Sequence, residues 1–314
     1  MTTILYVQPV AEEGGSDQAL LRMIRGLPPG FTCHVALPGP SPMADRFRAA
    51  GARLHVVPMR RLTAGAGWRY WLRYVVEWPV ATGRLARLAR RVRADVVHTN
   101  SLHSLYGWAA ARLCRLPHVW HAREIVVQSR AALAVERFLA RRFADVVIAM
   151  SEAIAAQLHP GNTRVVWDGA DPDEFTPAKA GRFRSAESIP EDVPIVASVG
   201  RIDTWKGVDV LLEAFATVRE AVPEAILVVA GPAVRGKEAY AAGLERRAAA
   251  IGGVRWLGPR ADVPEVLADV DVFVLPSTEP EPFGLVLVEA LASGARVVAT
   301  DAGGAPEIVR RSPT

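Results

Sequence analysis

Two carboxylates flank a hydrophobic run near the end of the 314-residue sequence. The stretch EPEPFGLVLVEALASG, residues 279–294, places Glu281 before Gly284 and Glu289 five residues after that glycine. A carboxylate on a buried helix is costly unless it is paired or hydrogen-bonded. Because a carboxylate offers only acceptors, these acids either face solvent or hold a ligand rich in hydroxyl groups. Helix rise and loop reach keep them within about a dozen ångströms, close enough to grip two ends of one ligand.

Two cations follow a predicted strand earlier in the sequence. Arg201 and Lys206 bracket the loop in GRIDTWKGVDVLLEAF, directly after the run PIVASVG at 194–200. Two cations before a helix N-terminus suit a diphosphate. Solvated surface charges are the alternative, which is weakened because Lys206 is one of only three lysines in the chain.

A pair of glycines follows the first predicted strand. Gly14 and Gly15 predict a tight turn, and Ser16 or Asp17 is expected to cap the next helix. Glycines before a helix N-terminus let backbone amides approach an anion, although a plain strand-to-helix turn explains them equally well. The motif GxGxxG is absent, which argues against a dinucleotide cofactor.

Twelve short apolar runs alternate with helical segments along the chain. Continuous apolar runs of this kind predict parallel strands buried on both faces, with the helices completing βαβ units. The runs are residues 4–10, 34–38, 54–58, 95–99, 118–122, 145–150, 164–167, 194–200, 225–231, 254–258, 271–276 and 295–300.

We therefore predict an α/β protein with two Rossmann-like, doubly wound parallel-sheet domains, residues 1–175 and 190–314. The polar segment 171–193, which is rich in proline, is interpreted as the link between them. Ligands of such sheets bind beyond the carboxyl ends of the strands. Two sheets that face each other would form a cleft, and the residues just after the strands would line it.

These stretches together resemble the family 4 retaining glycosyltransferases, which have a GT-B fold. The resemblance rests on the glycine pair, GR-x4-KG, EPFGLVLVEALASG and VVATDAGGAPEIV, and covers nearly the whole chain. MSEAI at 150–154 and DGADPDEFTP at 168–177 also match, in the order of the family.

The resemblance implies a role for each candidate residue in binding a nucleotide-diphosphate sugar. Glu281 would contact the hydroxyls of the donor sugar, and Glu289 would take the ribose. Arg201 and Lys206 would hold the diphosphate, and Gly15 would lie by the phosphates. On this interpretation the two acids are paired with a sugar and a ribose and not with cations.

His121, in VWHARE, resembles the family's histidine near the reacting carbon. With Glu281, Arg201 and Lys206 it completes the predicted catalytic set, although a lone histidine is more often a structural hydrogen-bonding group. His98, in VVHTN, ends a neighbouring strand in the same way and is a weaker candidate. Glu279 rivals Glu281, because the prolines leave the direction of the loop open.

Metal and cofactor are not expected. Asp171 and Asp173 spell the DxD of metal-dependent sugar transferases of another fold, but they lie in the predicted link. Arg201, Lys206 and helix N-termini can stabilise the charge that develops on a leaving diphosphate. The resemblance implies retention of anomeric configuration, and the sequence offers no convincing nucleophile for a double displacement. A front-face route, in which the leaving phosphate takes the proton of the acceptor, is the hypothesis that fits.

The amino-acid composition limits the kinds of partner that the protein could bind and the cellular compartment in which it could reside. The net charge of +4 is too small to imply nucleic acid, and two cysteines without a CxxC fit thiols in a reducing cytosol. Neither a signal peptide nor a long apolar run is recognisable, so we expect a cytoplasmic protein. Residues 59–93, with nine arginines, one acid and interleaved aromatics, suit the anionic inner face of a membrane. The alternative is a stripe facing the core with a solvated arginine face.

The sequence ends at EIVRRSPT, after five predicted strands of the second domain where the resemblance leads us to expect six. We therefore expect a truncated second domain. The alternative function is a catalytically silent nucleotide-sugar-binding fragment; an epimerase or a phosphorylase of GT-B fold fits the motifs less well. Neither the base, the sugar nor the acceptor, be it a glycan, a lipid or a small molecule, is specified.

Overall fold

The computed structural model describes residues 1–11, 14–61, 67–127, 130–158 and 161–312. The chain forms two compact units, residues 1–168 and 169–314. Each unit is built on one parallel sheet, of seven strands in the first and five in the second. The α/β, doubly wound class is therefore confirmed, and each of the twelve predicted runs overlaps a strand, with ends shifted by a few residues.

Strands and helices alternate along the first unit, and its seven strands form one parallel sheet. Its strands follow the order β3-β2-β1-β4-β5-β6-β7, and all neighbours are parallel. The elements are β1 (Thr2–Val7), α1 (Gly15–Arg25), β2 (Phe31–Leu37), α2 (Ala44–Ala49), β3 (Arg53–Val56), α3 (Trp68–Arg91), β4 (Val96–Thr99), α4 (Tyr106–Cys114), β5 (His118–Ala122), α5 (Arg130–Phe143), β6 (Val146–Ala149), α6 (Glu152–Leu158) and β7 (Thr163–Val165).

Both faces of the first sheet are buried, as continuous apolar strands require. Leu5 packs in one cluster with Leu85 of α3, whereas the next residue, Tyr6, packs in another cluster with Leu20 of α1. Successive side chains of a strand point to opposite faces, so helices must cover the two sides of this sheet.

The second unit repeats the pattern with the strand order β10-β9-β8-β11-β12, again all parallel. A cluster around Leu227 and Phe215 joins its central strands to α8 and α9, and α11 and α12 pack on β11 and β12. The elements are α7 (Arg182–Glu187), β8 (Ile195–Val199), α8 (Val208–Ala221), β9 (Ile226–Ala230), α9 (Glu238–Ile251), β10 (Val254–Gly258), α10 (Val263–Ala268), β11 (Val272–Leu275), α11 (Leu285–Ala292), β12 (Arg296–Ala299) and α12 (Ala305–Arg311).

The polar segment 171–193, interpreted above as the link, clusters with the second unit and contains α7. Phe183 anchors it, with only 1% of its surface exposed. The Asp269 carboxylate accepts hydrogen bonds from the backbone N–H groups of Gly181 and Arg184, the latter at 2.8 Å. These bonds satisfy donors at the start of α7 that a helix cannot satisfy itself.

The apolar spacing predicts an inward face for three helices, and the structure confirms these faces only in part. The predicted sets are Leu20, Leu21, Ile24 and Leu27 after the glycine pair, Leu211, Leu212, Phe215 and Val218 after Lys206, and Leu285, Val288, Leu291 and Ala292 after Gly284. Leu27 lies beyond the end of α1 and is half-buried. Leu20, Leu21 and Ile24 of α1 are buried, but Val218 of α8 is 40% exposed. In α11 the buried residues are Leu287 and Ala290, not the predicted set of Leu285, Val288, Leu291 and Ala292. Apart from Glu289 that helix is wholly apolar, so its spacing could not indicate which side faces inward.

Both sheets contain a point where the direction of winding reverses. It lies between β1 and β4 in the first unit and between β8 and β11 in the second. The loops after these strands diverge there, which opens a crevice for ligands at the carboxyl edge of each sheet. Across the described ranges, no helix combines the length and apolarity needed to cross a bilayer.

Candidate functional site

The loops after β8 and β11 meet at the reversal point of the second sheet, and an ion pair joins them. Lys206 Nζ lies 2.7 Å from Glu281 Oε2, and Ser277 Oγ donates to the same oxygen at 2.9 Å. The two charged side chains are only 18% and 10% exposed. The prediction that the two acids are not paired with cations is therefore wrong for Glu281. A buried carboxylate needs a partner, and the lysine after the neighbouring strand is the cation within reach.

A chain of contacts holds Lys206 in place from the other side. Its ammonium lies 4.1 Å from the centroid of the Trp205 ring, and Trp205 Nε1 donates to Asp203 Oδ2 at 3.1 Å. Asp203 is itself paired with Lys237. Burial acts to raise the pKa of Asp203, but the hydrogen bond and charge of Lys237 bring that pKa below its usual value. No sequence pattern indicates this role for Lys237.

A glycine allows the two loops to approach. Gly207 has φ +67°, and a Cβ atom built there would lie 2.0 Å from the carbonyl oxygen of Pro276. Across the same contact, the Thr278 N–H donates to the carbonyl of Trp205 at 2.8 Å. The glycine after Lys206 is therefore required both by its backbone conformation and by close packing.

A third loop fixes the backbone of Glu281. Glu281 forms a parallel bridge with Gly303, and the Gly304 N–H donates to the Glu281 carbonyl at 2.7 Å. Gly303 has φ +70°, and a Cβ there would lie 2.2 Å from that carbonyl oxygen. The stretch DAGGAPE thus supports the acid, which explains why it accompanies EPFGLVLVE in the sequence.

The remaining residues predicted in the second unit lie on the same edge of the sheet. Arg201 follows β8 with an exposed side chain and lines one small pocket with Lys206. Glu289 is half-buried in the second turn of α11, as predicted. Glu279, the rival of Glu281, is exposed. The structure therefore brings Lys206 and Glu281 into contact and places Arg201 beside Lys206, while Glu289 follows on the next helix.

Two neighbouring histidines, with ring planes tilted by 48°, lie near the reversal point of the first sheet. His121 of β5 is 3% exposed, and its ring centroid lies 5.5 Å from that of His98 on β4. Nε2 of both rings is buried and has no hydrogen-bond partner among the described residues. Burial, followed by the charge of Arg123, lowers the pKa of His98 to about 3 and that of His121 well below its usual value. Both rings are therefore neutral at pH 7.

A buried polar network surrounds these histidines, and the sequence analysis did not find it. Asn100 Nδ2 donates to Gln8 Oε1 at 2.7 Å, and Arg123 Nε donates to Asn100 Oδ1 at 2.6 Å. Arg123 also pairs with Asp168 at 2.6 Å, and Gln8 donates to Asp17 at 3.0 Å. Gln8, Asn100 and Arg123 each directly follow a strand, at β1, β4 and β5. A polar residue directly after each predicted strand is the sequence feature that could have indicated this network.

Gly15 begins α1 at the same edge of the first sheet. Gly14 is the N-cap and no side chain caps this helix, so the predicted cap by Ser16 or Asp17 is wrong. The reason is that Asp17 accepts a hydrogen bond from Gln8 instead. A Cβ built at Gly15 would meet none of the described atoms within 4 Å, and residues 12–13, just before this turn, lie outside the described residues.

The DxD pair forms a turn. The Asp173 N–H donates to Asp171 Oδ1 at 3.1 Å. Among the residues that the structure describes, no group of three or more His, Cys, Asp or Glu side chains is placed to hold a metal ion.

Comparison with known proteins identifies both units. Residues 180–313 match the family model for glycosyl transferases group 1, and residues 14–166 match that for the glycosyl transferase 4-like domain. Alpha-maltose-1-phosphate synthase of Mycolicibacterium smegmatis is 33% identical over 69% of this chain and 62% of its own length. D-inositol 3-phosphate glycosyltransferase of Actinosynnema mirum is 33% identical over 70% of this chain and 59% of its own. The chain thus spans about three fifths of these relatives.

Solved structures agree with the family models. Anabaena Alr3699/HepE in complex with UDP and glucose has a TM-score of 0.82 and 26% identity, covering 98% of this chain and 83% of its own. WaaG, a glycosyltransferase involved in lipopolysaccharide biosynthesis, has a TM-score of 0.66 at 19% identity, covering 99% and 84%. Because the two matched regions account for nearly all of the chain and the folds agree, the chain belongs to the family 4, group 1 glycosyltransferases of GT-B fold.

Proposed function

We propose that this protein is a retaining, metal-independent glycosyltransferase that moves a sugar from a nucleotide-diphosphate sugar to an acceptor. The observation that carries the proposal is the Lys206–Glu281 pair at the reversal point of the second sheet, with Arg201 beside it. HepE, whose structure holds UDP and glucose, supports a donor of this class. The second unit, predicted as residues 190–314, would bind the donor, and the first, predicted as 1–175, would bind the acceptor.

The ion pair with Glu281 fixes the position of the Lys206 ammonium before a ligand binds. An ammonium has three donors, and Glu281 takes one of them, so the others can meet phosphate oxygens. Arg201 is exposed and offers a forked guanidinium to the same diphosphate. As the bond to the sugar breaks, negative charge grows on the leaving diphosphate, and cations already in place stabilise it most.

Glu281 and Glu289 would divide the recognition of the donor. The Oε2 atom of Glu281 is engaged by Lys206 and Ser277, which leaves Oε1 to accept from a hydroxyl of the sugar. Glu289, on α11, would accept from the ribose diol. A carboxylate that is tied to a lysine is also a weaker nucleophile, which favours the front-face route over a double displacement.

His121 would act as a neutral group, because its lowered pKa excludes a pre-formed imidazolium at pH 7. Its Nε2 is buried without a partner among the described residues, so a substrate hydroxyl would reach it only after a local movement that uncovers it. The start of α1 at Gly15 would admit the phosphates to the backbone amides. The base, the sugar and the acceptor, whether glycan, lipid or small molecule, are left to experiment.

The exposed face of α3 supports a peripheral membrane role on the cytoplasmic side. Trp68, Leu72 and Val75 are 56–70% exposed, and the arginines at 69 and 73 are exposed among them. The opposite face of the helix packs into the core, so the alternative of a core-facing stripe describes that face. Residues 62–66 of the predicted 59–93 stretch lie outside the described residues. Co-sedimentation with anionic vesicles that is lost in high salt would support this role, and equal binding to neutral vesicles would count against it.

Turnover of a panel of nucleotide sugars tests the function itself. Product formation that survives EDTA, with the anomer of the donor kept, is expected. Restoration only by added Mg²⁺ or Mn²⁺ would contradict the metal-independent mechanism, and an inverted anomer would contradict retention. Nucleotide binding without turnover of any donor would favour the catalytically silent binding module.

A further inference from the structure

A groove lies on the edge of the first unit, between β3 and the C-terminal half of α3. It has a volume of about 620 Å³ and is lined by both elements. Three of its lining residues, Arg84, Arg87 and Arg91, are exposed arginines, and no acidic side chain lines it. Their spacing places them on one face of the helix. The groove is thus a concave surface with cations on one wall.

The groove arginines differ from the other arginines near α3. Arg60 forms an ion pair with Glu77 of this helix, and Arg90 donates to the carbonyl of Leu113. In the described part of the chain, none of the three groove arginines has an ion pair or a hydrogen bond to a side chain. Like charges at such spacing repel each other, so an anion between them would relieve the repulsion.

The floor of the groove contains one histidine, which contacts a second, buried histidine behind it. His55 of β3 lines the groove, and His55 Nε2 lies 2.8 Å from His34 Nδ1, with the rings stacked. Burial, together with the charges of Arg91 and Arg53, lowers the pKa of both histidines. A negative charge in the groove would oppose those arginine charges, so bound anion and imidazole protonation would favour each other.

We propose that this groove is a binding site for a phosphate group, separate from the donor site and independent of the transfer reaction. Arginine guanidinium groups match phosphate oxygens in a forked, two-bond geometry, and several of them along one wall suit a dianion. The phosphate could be presented on a soluble metabolite or on a lipid headgroup. The recognition chemistry is the same for both sources, and the experiment separates them.

The imidazole signals of His34 and His55 provide a local readout in the full chain. Inorganic phosphate is titrated while nitrogen-detected NMR follows these signals, with saturating UDP present to occupy the donor site. The second arm uses phosphatidylcholine vesicles with and without phosphatidic acid, and measures co-sedimentation.

The groove double variant Arg87→Gln/Arg91→Gln is compared with the control double variant Arg115→Gln/Arg255→Gln, which removes two exposed charges outside the groove and outside α3. Saturable shifts with phosphate that weaken about tenfold or more in the groove double variant alone are expected for a soluble source. Binding only to vesicles with phosphatidic acid, lost in the groove double variant and kept in the control double variant, assigns the lipid source. Equal responses of both variants in both arms, or no response of the wild-type protein in either, would overturn the site.

Discussion

The substitution Glu281→Gln isolates the ion pair between the loops after β8 and β11. It keeps the size of the side chain and its ability to accept from Ser277, and removes only the charge opposite Lys206. Glu279→Gln is a matched control, because Glu279 lies two residues earlier in the same loop and is exposed.

The expected loss of stability follows from burial. Removing one partner of a buried pair costs about 3–5 kcal/mol, because the other charge is left uncompensated. Here the ammonium is 18% exposed and the new amide still accepts a hydrogen bond, so we expect a smaller loss. A decrease of about 2–3 kcal/mol in the free energy of unfolding is the estimate. The control should change it by less than about 0.5 kcal/mol.

Ligand binding gives the second part of the prediction. Without the carboxylate, the ammonium of Lys206 turns fully to phosphate, so nucleoside diphosphate should bind as well as before or more tightly. The sugar-bearing donor should bind more weakly, because a hydroxyl acceptor has lost its charge. Urea unfolding followed by circular dichroism and titration calorimetry measure the two effects. Unchanged stability, or a loss of nucleoside diphosphate binding equal to the loss of donor binding, would refute this reasoning.

Three further substitutions or conditions test the supporting structure. Gly303→Ala should destabilise the protein and weaken donor binding, because the new Cβ would meet the Glu281 carbonyl. Gly252→Ala is the control, since Gly252 has a similar φ of +74° with open space around it, and should show only the backbone strain. Equal effects of the two substitutions would contradict a role for the contact between Gly303 and Glu281. Lys237→Ala should raise the pKa of Asp203 and weaken diphosphate binding, because Asp203 would hold Trp205, and through it the Lys206 ammonium, less firmly. NMR titration measures the pKa and calorimetry measures the Kd of the diphosphate. An unchanged pKa and an unchanged Kd would show that Lys237 does not support the site. His98 keeps a folded pKa of about 3, so below the unfolded pKa the unfolded chain binds a proton that the folded chain does not. The contribution of His98 to stability should therefore fall by about 1.4 kcal/mol per pH unit as the pH drops from about 6.5 towards 3, and His121, whose pKa is also lowered, should steepen the fall. A flat unfolding free energy across that range would contradict the burial of these rings.

The strands and the edge that carries the site could be predicted from the sequence, because both follow from local pattern. A continuous apolar run indicates a buried parallel strand wherever it lies, and polar residues directly after it must lie at the carboxyl edge. Arg201, Lys206 and Glu281 were found in this way. The buried side of α11 could not be predicted, because apart from Glu289 the helix is apolar and its sides do not differ in polarity.

The ion pair and the polar network depended on the order of the strands. Nothing in the sequence places Lys206 next to Glu281, 75 residues away, until β8 and β11 are neighbours. The same holds for Gln8 and Asn100, which meet because β1 pairs with β4. The packing of segment 171–193 on the second unit could not be predicted, because its polar composition conceals three buried residues, Phe175, Phe183 and Ile189.

Titration calorimetry of Lys206→Ala tests most directly whether the β8–β11 edge is the donor site. A thermal-shift panel of UDP, GDP, ADP and dTDP first identifies the base, since a ligand at about 100 times its Kd stabilises by roughly 2.7 kcal/mol. That diphosphate and its parent nucleoside are then titrated into the wild-type protein, into Lys206→Ala and into the lysine control Lys179→Ala. We expect Lys206→Ala to weaken diphosphate binding about tenfold or more and to leave nucleoside binding unchanged, and we expect Lys179→Ala to change neither. Equal losses for the two ligands, or a diphosphate that binds Lys206→Ala as tightly as the wild-type protein, would contradict this expectation.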